Sequence, residues 1–297
     1  MNKYVIVTDT ACDLDVSFQE RFNFKVLPMH YIIDGKDYAA RLDWAPFTPK
    51  SFYDIIRNGT RITTAQIGTV DYKNAFKELI EQGYDVLYIA CSSALSASVK
   101  ASYVVRDELL KEYPNAKIVC VDTLRACHAL GILVLTACEL KEEGKTLEEV
   151  AEWVENNKLT ANMEGSVEKL TYLRMAGRVN AASAFFGGLL NIKPIIVADA
   201  KGQNFAIEKV KGRKQSLQRI ADRFVDNYVQ VPHQKIFISH ADCLEDANIL
   251  KEMLLEKLED KNIPIHIGYV GSCIGATVGP GMIGAYYFGK EVTLNKE

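Results

Sequence analysis

The sequence predicts an α/β protein of two domains, a Rossmann-like parallel-sheet domain followed by an α+β domain. Strand-like and helix-like segments alternate in the first half of the chain, whereas strand-like segments dominate the second half. The length of 297 residues suits two domains of ordinary size better than a single core. We therefore predict domains at residues 1–158 and 159–297, with a ligand cleft at their junction.

Three short runs rich in Val and Ile predict the buried parallel strands of the first domain, at residues 4–8, 86–90 and 118–121. Apolar residues at helical spacing predict helices over 72–80, 101–109 and 126–142. Thr146 and Glu149 have the spacing of a capping box, which predicts the start of a helix that closes this domain.

A small strand pair is predicted to be inserted into the first domain, at about residues 24–60. Pro28 interrupts an apolar run there, and Asp34-Gly35 offers a hairpin turn. Strands of the second domain are predicted near residues 167–170, 194–197, 205–210, 235–239, 265–270 and 283–288. Gly279-Pro280-Gly281 predicts a tight turn between the last two of these strands.

Composition excludes several classes of function. Hydrophobic residues make up 48% and charged residues 25% of the chain, as in an average globular protein. The net charge of -3 comes from 35 basic and 38 acidic residues without a basic block, so nucleic acid is not an expected partner. The longest apolar run is far shorter than the roughly 20 residues that cross a bilayer, so no membrane span is expected. Seven cysteines without a C-x-x-C pair favour a cytoplasmic location.

Hydroxyl-bearing side chains cluster where the predicted strands of the first domain end. Ser92, Ser93, Ser96 and Ser98 follow the second strand, and Thr64 lies in the loop before the 72–80 helix. Ligands of open α/β sheets bind at the carboxyl ends of the strands. Together with free N–H groups at helix starts, these hydroxyls would suit a carboxylate or phosphate. The alternative for each residue is that it only caps a helix.

Two residues of the second domain are further candidates. Arg178 follows Gly177, and a guanidinium beside a glycine can approach an anion closely, although a lone arginine is more often a surface ion-pair partner. Thr277 precedes the predicted tight turn and would present its hydroxyl to the cleft.

The sequence has no G-x-S-x-G elbow, Walker loop, H-E-x-x-H or Cys/His metal spacing. We therefore expect no cofactor, no metal and no catalytic constellation. The alternative is an acyl-transfer or hydrolytic enzyme that uses Cys91. This thiol lies at a strand end near a helix N-terminus, which would lower its pKa, and His128 or His240 would serve as the base.

Seven motifs occur in order along the chain: V-T-D-T-A-C-D-L at 7–14, T-A-Q at 64–66, S-S-A-L-S at 92–96, V-D-T at 121–123, G-R-V at 177–179, L-N-I-K-P at 190–194 and V-G-P-G at 278–281. In this order and spacing they resemble the DegV family, over about residues 4–288. The resemblance implies a two-domain protein that binds a long-chain fatty acid, with the acyl chain in the second domain and the carboxylate at the domain junction. It also implies an ATP-dependent fatty acid kinase as a partner, which would convert the presented carboxylate to an acyl phosphate.

The resemblance also implies site residues. Thr64 matches the first Thr of the family's T-S-Q-P-S, and Ser96 matches a Ser of its S-S-x-L-S-G-T-Y segment, with Ser93 just before it. These residues would bind the carboxylate, and Arg178, which matches the Arg of G-G-R-I-S, would lie near the head group. Thr277 stands where the family's H-V-G-P-G has a histidine, which implies fewer hydrogen-bonding groups at the head site. A third hypothesis is a lipid-free regulatory protein, whose second domain would be filled by side chains.

Overall fold

A computed structural model describes residues 3–179 and 191–295 of the chain. The elements before the second large sheet are β1 (Tyr4–Asp9), α1 (Val16–Phe22), β2 (Lys25–Leu27), β3 (His30–Ile33), β4 (Lys36–Ala39), α2 (Pro49–Arg57), β5 (Thr63–Ala65), α3 (Thr69–Glu81), β6 (Asp85–Ala90), α4 (Ser98–Glu112), β7 (Ile118–Asp122), α5 (His128–Glu142) and α6 (Leu147–Asn157). The following elements are β8 (Ala161–Ser166), α7 (Leu170–Ala176), β9 (Ile192–Ala198), β10 (Asn204–Lys211), α8 (Arg213–Asn227), β11 (Ile236–His240), α9 (Leu244–Lys257), β12 (Ile265–Tyr269), α10 (Ser272–Val278) and β13 (Ile283–Phe288).

The first large sheet is parallel and has the strand order β2-β1-β6-β7. Helices α3 and α4 contact one face of it, and α5 and α6 contact the other. The three predicted strands and their helices are confirmed. The predicted capping box is also present, since the Thr146 hydroxyl accepts from the Glu149 N–H at 3.2 Å. The Rossmann-like arrangement places the carboxyl ends of β1, β6 and β7 along one edge.

The inserted strand pair was predicted incompletely. The hairpin of β3 and β4 turns at Asp34-Gly35 as expected, but β5 pairs with the other side of β3, so the small sheet has three strands. The segment before Pro28 does not belong to it. Strand β2 instead pairs in parallel with β1, because the edge of β1 is free to accept a further strand.

The second large sheet is mixed and has the strand order β10-β9-β8-β13-β11-β12. Only β11 and β12 are parallel among the pairs of this sheet in the described residues. Helices α8 and α9 cover one face, with a second apolar cluster around Leu217, Ile220 and Leu250. This is the expected α+β arrangement.

One local prediction for the second domain was wrong, and another was wrong in part. The first strand is β8, ending at Ser166, and the predicted strand near residues 167–170 instead leads into α7, because Leu170 and Leu173 pack at helical spacing. The predicted turn is present at Pro280-Gly281, but it follows helix α10 and not a strand. The helix is closed by i to i−4 hydrogen bonds, with the Gly275 N–H donating to the Gly271 carbonyl at 2.7 Å and the Gly279 N–H to the Gly275 carbonyl at 2.8 Å. Thr277 therefore lies in the last turn of a helix.

Helix α5 lies between the two large sheets. It contacts β1 and β6 on one side and β8 and β13 on the other. Residues 128–138 are all buried, as expected of a helix that is apolar on every side. The main apolar cluster consequently runs without interruption from the first sheet through α5 to the second.

The layers therefore alternate as helices, sheet, helices, sheet and helices. The second sheet begins after α6 ends at Asn157, which is compatible with the domain boundary that we place at 158/159. Among the described residues, no helix combines the length and hydropathy needed to cross a membrane.

The close approach of α5 to the segment after β1 predicts the effect of one substitution. A Cβ on Gly131 would lie 2.8 Å from the Cys12 carbonyl oxygen and 3.0 Å from a Leu14 methyl group. Replacing a helical glycine by alanine ordinarily stabilises a helix by about 1 kcal/mol. We expect Gly131→Ala instead to lower the free energy of unfolding by about 1–3 kcal/mol, as overpacking does. Urea unfolding checks the sign, and a gain in stability would contradict the close packing of α5.

Candidate functional site

A cavity of about 430 Å³ opens at the carboxyl edge of the first sheet, between that sheet and the second. All five residues proposed from the sequence line it: Thr64, Ser93, Ser96, Arg178 and Thr277. They come from four separate parts of the chain. The structure therefore brings the predicted site residues together.

Thr64 and Ser93 reach the cavity from two elements of the first domain. Thr64 lies on β5, the edge strand of the small sheet, opposite Tyr31. Ser93 lies in the loop after β6, where its N–H donates to Asp122 Oδ1 at 3.1 Å. Within the described residues neither hydroxyl has a protein hydrogen-bond partner, so both are available to a ligand.

Ser96 lies two residues before the start of α4 and belongs to a small hydrogen-bond network. Its N–H donates to the Ser92 carbonyl at 3.0 Å, which closes the turn. Its hydroxyl lies 2.9 Å from the Ser98 hydroxyl and also accepts from the Ser98 N–H at 3.3 Å. The Ser98 hydroxyl in turn accepts from the Ile67 N–H at 3.2 Å. This network ties the loop after β5 to the start of α4 and holds Ser96 at the cavity wall.

Arg178 supplies the cationic group at this end of the cavity. It follows Gly177, the residue that caps the C-terminus of α7 in the left-handed conformation that favours glycine (φ 67°). The exposed guanidinium donates to the Leu95 carbonyl at 3.3 Å and to the Ala176 carbonyl. No acidic side chain of the described residues pairs with it. Its charge is therefore free to meet an anionic ligand beside Ser96.

Thr277 is less able to donate a hydrogen bond to a ligand than its position in the cavity wall suggests. Its hydroxyl donates to the Ile274 carbonyl at 2.8 Å, one helical turn earlier. The proton is thus committed to the main chain, as is common for Thr in a helix. Thr277 nevertheless lines the cavity.

The remainder of the cavity is mainly apolar. Side chains of both domains form its walls, including Met29, Met163, Leu173, Ile196, Val278 and Met282. The cavity is therefore at the domain junction and is not confined to the second domain. An apolar interior with a few convergent polar groups at one end is typical of a small-molecule site.

Cys91 lines the cavity, but its chemistry differs from the sequence-based expectation. Burial, together with the nearby acidic Asp9, raises the pKa of the Cys91 thiol well above its usual value. The proximity to a helix N-terminus does not compensate for this desolvation. Cys91 is consequently a neutral thiol at physiological pH.

The two histidines considered as bases do not serve Cys91. His128 Nδ1 lies 2.5 Å from the Ser239 hydroxyl, and its ring stacks on Phe237. Burial lowers the pKa of His128 to about 3. His240 Nδ1 accepts from the Cys243 N–H at 3.2 Å. Both rings therefore have structural partners elsewhere.

Arg125 is a buried residue of the cavity wall that sequence reasoning missed. It is only 1% exposed, and its guanidinium donates to four carbonyl oxygens across the domain junction: Ala161 (2.7 Å), Leu124 (2.7 Å), Asp199 (3.1 Å) and Leu159 (3.4 Å). Burial lowers its pKa to about 10, an effect that the Asp199 carboxylate partly offsets. Arg125 therefore remains charged and links the two domains.

The turn between β9 and β10 also contacts the first domain. The Ser92 hydroxyl donates to the Gly202 carbonyl at 2.9 Å. A Cβ on Gly202 would lie 2.3 Å from that hydroxyl oxygen and 3.0 Å from Leu124, and the residue has φ +81°. Only glycine fits this contact, and Ser92 is thus a structural residue rather than a ligand-binding one.

Comparison with known proteins gives the family. The family model of DegV matches residues 3–290. The chain belongs to the DegV family. A DegV domain-containing protein of Clostridium perfringens is 38% identical over 289 residues, which cover 97% of this chain and 98% of the relative.

Solved DegV structures share the fold. A DegV family protein from Thermus thermophilus, described for its fatty acid binding, superposes with a TM-score of 0.85 at 26% identity and covers 98% of this chain and 100% of its own. DegV of Bacillus subtilis, described as a fatty acid binding protein, has a TM-score of 0.80 at 25% identity with the same coverage. The two-domain α/β architecture is therefore that of the family.

One of the seven motifs lies partly outside the described residues, since Leu190 is the first residue of the L-N-I-K-P motif at 190–194. Within residues 3–179 and 191–295, no group of three or more His, Cys, Asp or Glu side chains is arranged to hold a metal ion.

The buried contacts of Arg125 predict a large effect on stability. Arg125→Met preserves the aliphatic stem but removes the guanidinium that donates to the buried carbonyls of Ala161, Leu124 and Asp199, so we expect the free energy of unfolding to fall by about 2–4 kcal/mol. The control is Arg41→Met, since Arg41 pairs with Asp43 at the surface with 58% of its side chain exposed, and its loss should change stability by less than about 1 kcal/mol. Equal effects of the two substitutions in thermal unfolding would refute the role of Arg125.

Proposed function

We propose that this protein binds a long-chain fatty acid in the cavity at the domain junction. The observation that most directly supports this proposal is a mainly apolar cavity with the hydroxyls of Thr64, Ser93 and Ser96 and the guanidinium of Arg178 in its wall. In this proposal the carboxylate accepts from Thr64, Ser93 and Ser96, with Arg178 beside it. The Thermus and Bacillus relatives, described as fatty acid binding, support the assignment.

The energetics favour an apolar chain as the main source of affinity. Burial contributes about 0.8 kcal/mol per methylene, so an acyl chain of about fifteen carbons contributes roughly 12 kcal/mol before ordering costs. A volume of about 430 Å³ lies within the range of about 300–1,000 Å³ that is usual for small-molecule sites. The hydroxyls then need only fix the position of the head group, at about 1.5–3 kcal/mol for each hydrogen bond to a charged oxygen.

The alternatives receive less support from the geometry. An enzyme that uses Cys91 would need an activated thiolate, but burial raises the pKa of this thiol. A lipid-free regulatory protein would have a filled interior, but a cavity is present. We therefore propose a binding protein without catalytic residues of its own, with its domains divided at 158/159. The seven free cysteines favour a cytoplasmic location.

The first test is the ligand itself. Protein purified from a bacterial host should carry fatty acid, and delipidated protein should take up added palmitate or oleate. Mass spectrometry of the denatured protein identifies the bound lipid and its amount. Finding neither co-purified lipid nor uptake of either fatty acid would refute the proposal.

Substitution at the head site separates its contribution from that of the apolar chain. Ser96→Ala removes one donor to the carboxylate, so we expect the dissociation constant for palmitate to rise roughly 10- to 100-fold. Ser102→Ala is the matched control, because the Ser102 hydroxyl donates to the Val99 carbonyl inside α4 and lies away from the cavity. Titration with a fluorescent fatty acid measures both. An unchanged affinity of Ser96→Ala would remove Ser96 from the site.

We further propose that the bound carboxylate is presented to an ATP-dependent fatty acid kinase. Arg178 is exposed and Ser96 is half-buried, so the head-group end of the cavity reaches the surface, where a second protein could act on it. The apolar chain would remain covered during such a step.

The kinase step is tested with the loaded protein, ATP and a bacterial fatty acid kinase. We expect acyl phosphate to form when this protein carries the fatty acid and to form much less from free fatty acid, because presentation fixes the carboxylate for in-line attack. Trapping the acyl phosphate with hydroxylamine measures the product. Intact fatty acid binding without any acyl phosphate would refute presentation and leave binding standing.

A further inference from the structure

A second pocket lies against the head-group end of the cavity. Its volume is about 290 Å³, and three residues of the proposed head site, Thr64, Arg178 and Thr277, line both spaces. We call this space the outer pocket. Its other walls include Arg61, in the segment between α2 and β5, and Tyr172 of α7. A ligand whose head group is held at Thr64 can therefore extend from the cavity into the outer pocket.

The outer pocket carries positive charge that the protein does not neutralise. Arg61 and Arg178 line it, and no acidic side chain of the described residues does. Arg61 is exposed and has no carboxylate partner in the described part of the chain. Arg57, at the end of α2, by contrast pairs with Asp54 at 2.9 Å and with Asp242 at 2.5 Å. Two unpaired guanidinium groups thus share one pocket in a chain whose net charge is -3.

This charge exceeds what a carboxylate needs. A fatty acid head group carries a single negative charge, and Arg178 with the hydroxyls of the cavity wall already meets it. A phosphate monoester carries about −1.5 to −2 charges at pH 7 and presents several acceptor oxygens. Guanidinium groups match these oxygens with paired hydrogen bonds. The additional cation of Arg61 therefore favours a ligand with a phosphate beyond the acyl carbonyl.

Further polar groups line the outer pocket on the side of Arg61. Thr60 and Thr63 both line it, and neither hydroxyl has a hydrogen-bond partner among the described residues. A hydroxyl donates one proton and accepts through its lone pairs, so it can serve either a phosphate oxygen or a hydroxyl of the head group. These residues extend the polar wall outward from Thr64.

The wall opposite Arg61 is fixed by a close contact between α7 and α10. A Cβ on Gly279 would lie 2.2 Å from the Tyr172 ring, and Gly279 has φ +73°. Only glycine therefore allows the two helices to approach this closely. Arg178 follows α7 and Thr277 belongs to α10, so the contact sets the spacing of the residues that line both spaces.

We propose that the outer pocket is a second anion subsite, in which Arg61 and Arg178 bind the phosphate of a single-chain lipid whose acyl carbonyl lies at Ser96. The inference rests on the proposed binding of an acyl chain in the cavity, and it extends the ligand class from fatty acids to acyl lipids with a phosphate-bearing head group. Arg61 is the residue that distinguishes the two classes.

Two lipids have this chemistry. In an acyl phosphate the phosphate follows the carbonyl directly, whereas in a lysophosphatidate a glycerol unit separates them. A volume of about 290 Å³ corresponds to roughly ten water molecules of about 30 Å³ each, which admits either head group. The distance from Ser96 to the bound phosphate decides between them, and binding measurements with both lipids distinguish the two.

The test uses delipidated protein and four ligands of equal acyl chain. These are palmitate, the hydrolysis-resistant methylene phosphonate analogue of palmitoyl phosphate, 1-palmitoyl lysophosphatidate, and 1-monopalmitoylglycerol as the uncharged counterpart of the lysophosphatidate. Competition with a fluorescent fatty acid gives each dissociation constant. At least one phosphate-bearing lipid should bind about tenfold or more tightly than monopalmitoylglycerol, and the tighter of the two identifies the head group.

Substitutions separate the two anion subsites. Arg61→Met should raise the dissociation constant of the phosphate-bearing lipid about 10- to 100-fold. The same change should alter that of palmitate by less than about threefold, since only a screened charge acts across the pocket. Arg178→Met should weaken both ligands. The matched control is Arg21→Met, which should alter neither, because Arg21 is exposed, pairs with Glu142 and lines neither space.

The outcomes distinguish this inference from the proposed function. Palmitate binding without preference for either phosphate-bearing lipid over monopalmitoylglycerol would overturn the inference alone, as would equal losses of palmitate and phosphate-lipid affinity in Arg61→Met. Binding of a phosphate-bearing lipid without binding of palmitate would overturn the proposed function and leave the subsite standing. Failure of all four ligands to bind would overturn both. Thermal unfolding verifies that each variant is folded.

Discussion

The burial of helix α5 on all sides is the constraint on which the rest of the structure depends. A helix with residues 128–138 entirely buried needs an apolar surface on each side, and the two large sheets supply one each. The domains therefore share one apolar cluster and are held at a fixed distance by the diameter of the helix. The carboxyl edge of the first sheet consequently faces the second sheet across a space that backbone does not fill, and the cavity lies in that space.

The two domains also contact each other through polar groups around this space. A charged guanidinium is costly to bury, and Arg125 is tolerated because carbonyls of both domains converge on it. Gly202 brings a turn of the second domain against Ser92 where no side chain would fit. These contacts use polar groups to close the junction, whereas the Thr64 and Ser93 hydroxyls, which line the cavity, have no protein partner among the described residues. The residues that join the domains therefore differ from those that we propose for ligand binding.

Much of this architecture follows from local sequence signals, and the failures have physical causes. The buried strands β1, β6 and β7 are continuous runs rich in Val and Ile. Because ligands of open α/β sheets bind at the carboxyl ends of the strands, Ser93 and Ser96 are expected beside a cleft. The segments around β2 and α10 were misassigned because short elements depend on neighbours that are distant in sequence. Arg125 gave no signal at all, since an arginine in a loop is ordinarily exposed, and only the converging carbonyls of Ala161 and Asp199 reveal its burial. The assignment of Thr64 and Arg178 to the head site required the resemblance to the family.

In the proposed head site, Thr277 stands where the resemblance to the family implies a histidine, and this difference bears on how the site would balance the charge of a carboxylate. An imidazole could share a proton with the ligand, whereas the Thr277 proton is committed to the Ile274 carbonyl. The other donors proposed for the carboxylate are the Arg178 guanidinium and hydroxyls whose protons can rotate toward either neighbour. In the proposed site the permanent charge of Arg178 would therefore attract the carboxylate, and the rotating hydroxyls of Ser93 and Ser96 would adjust to it.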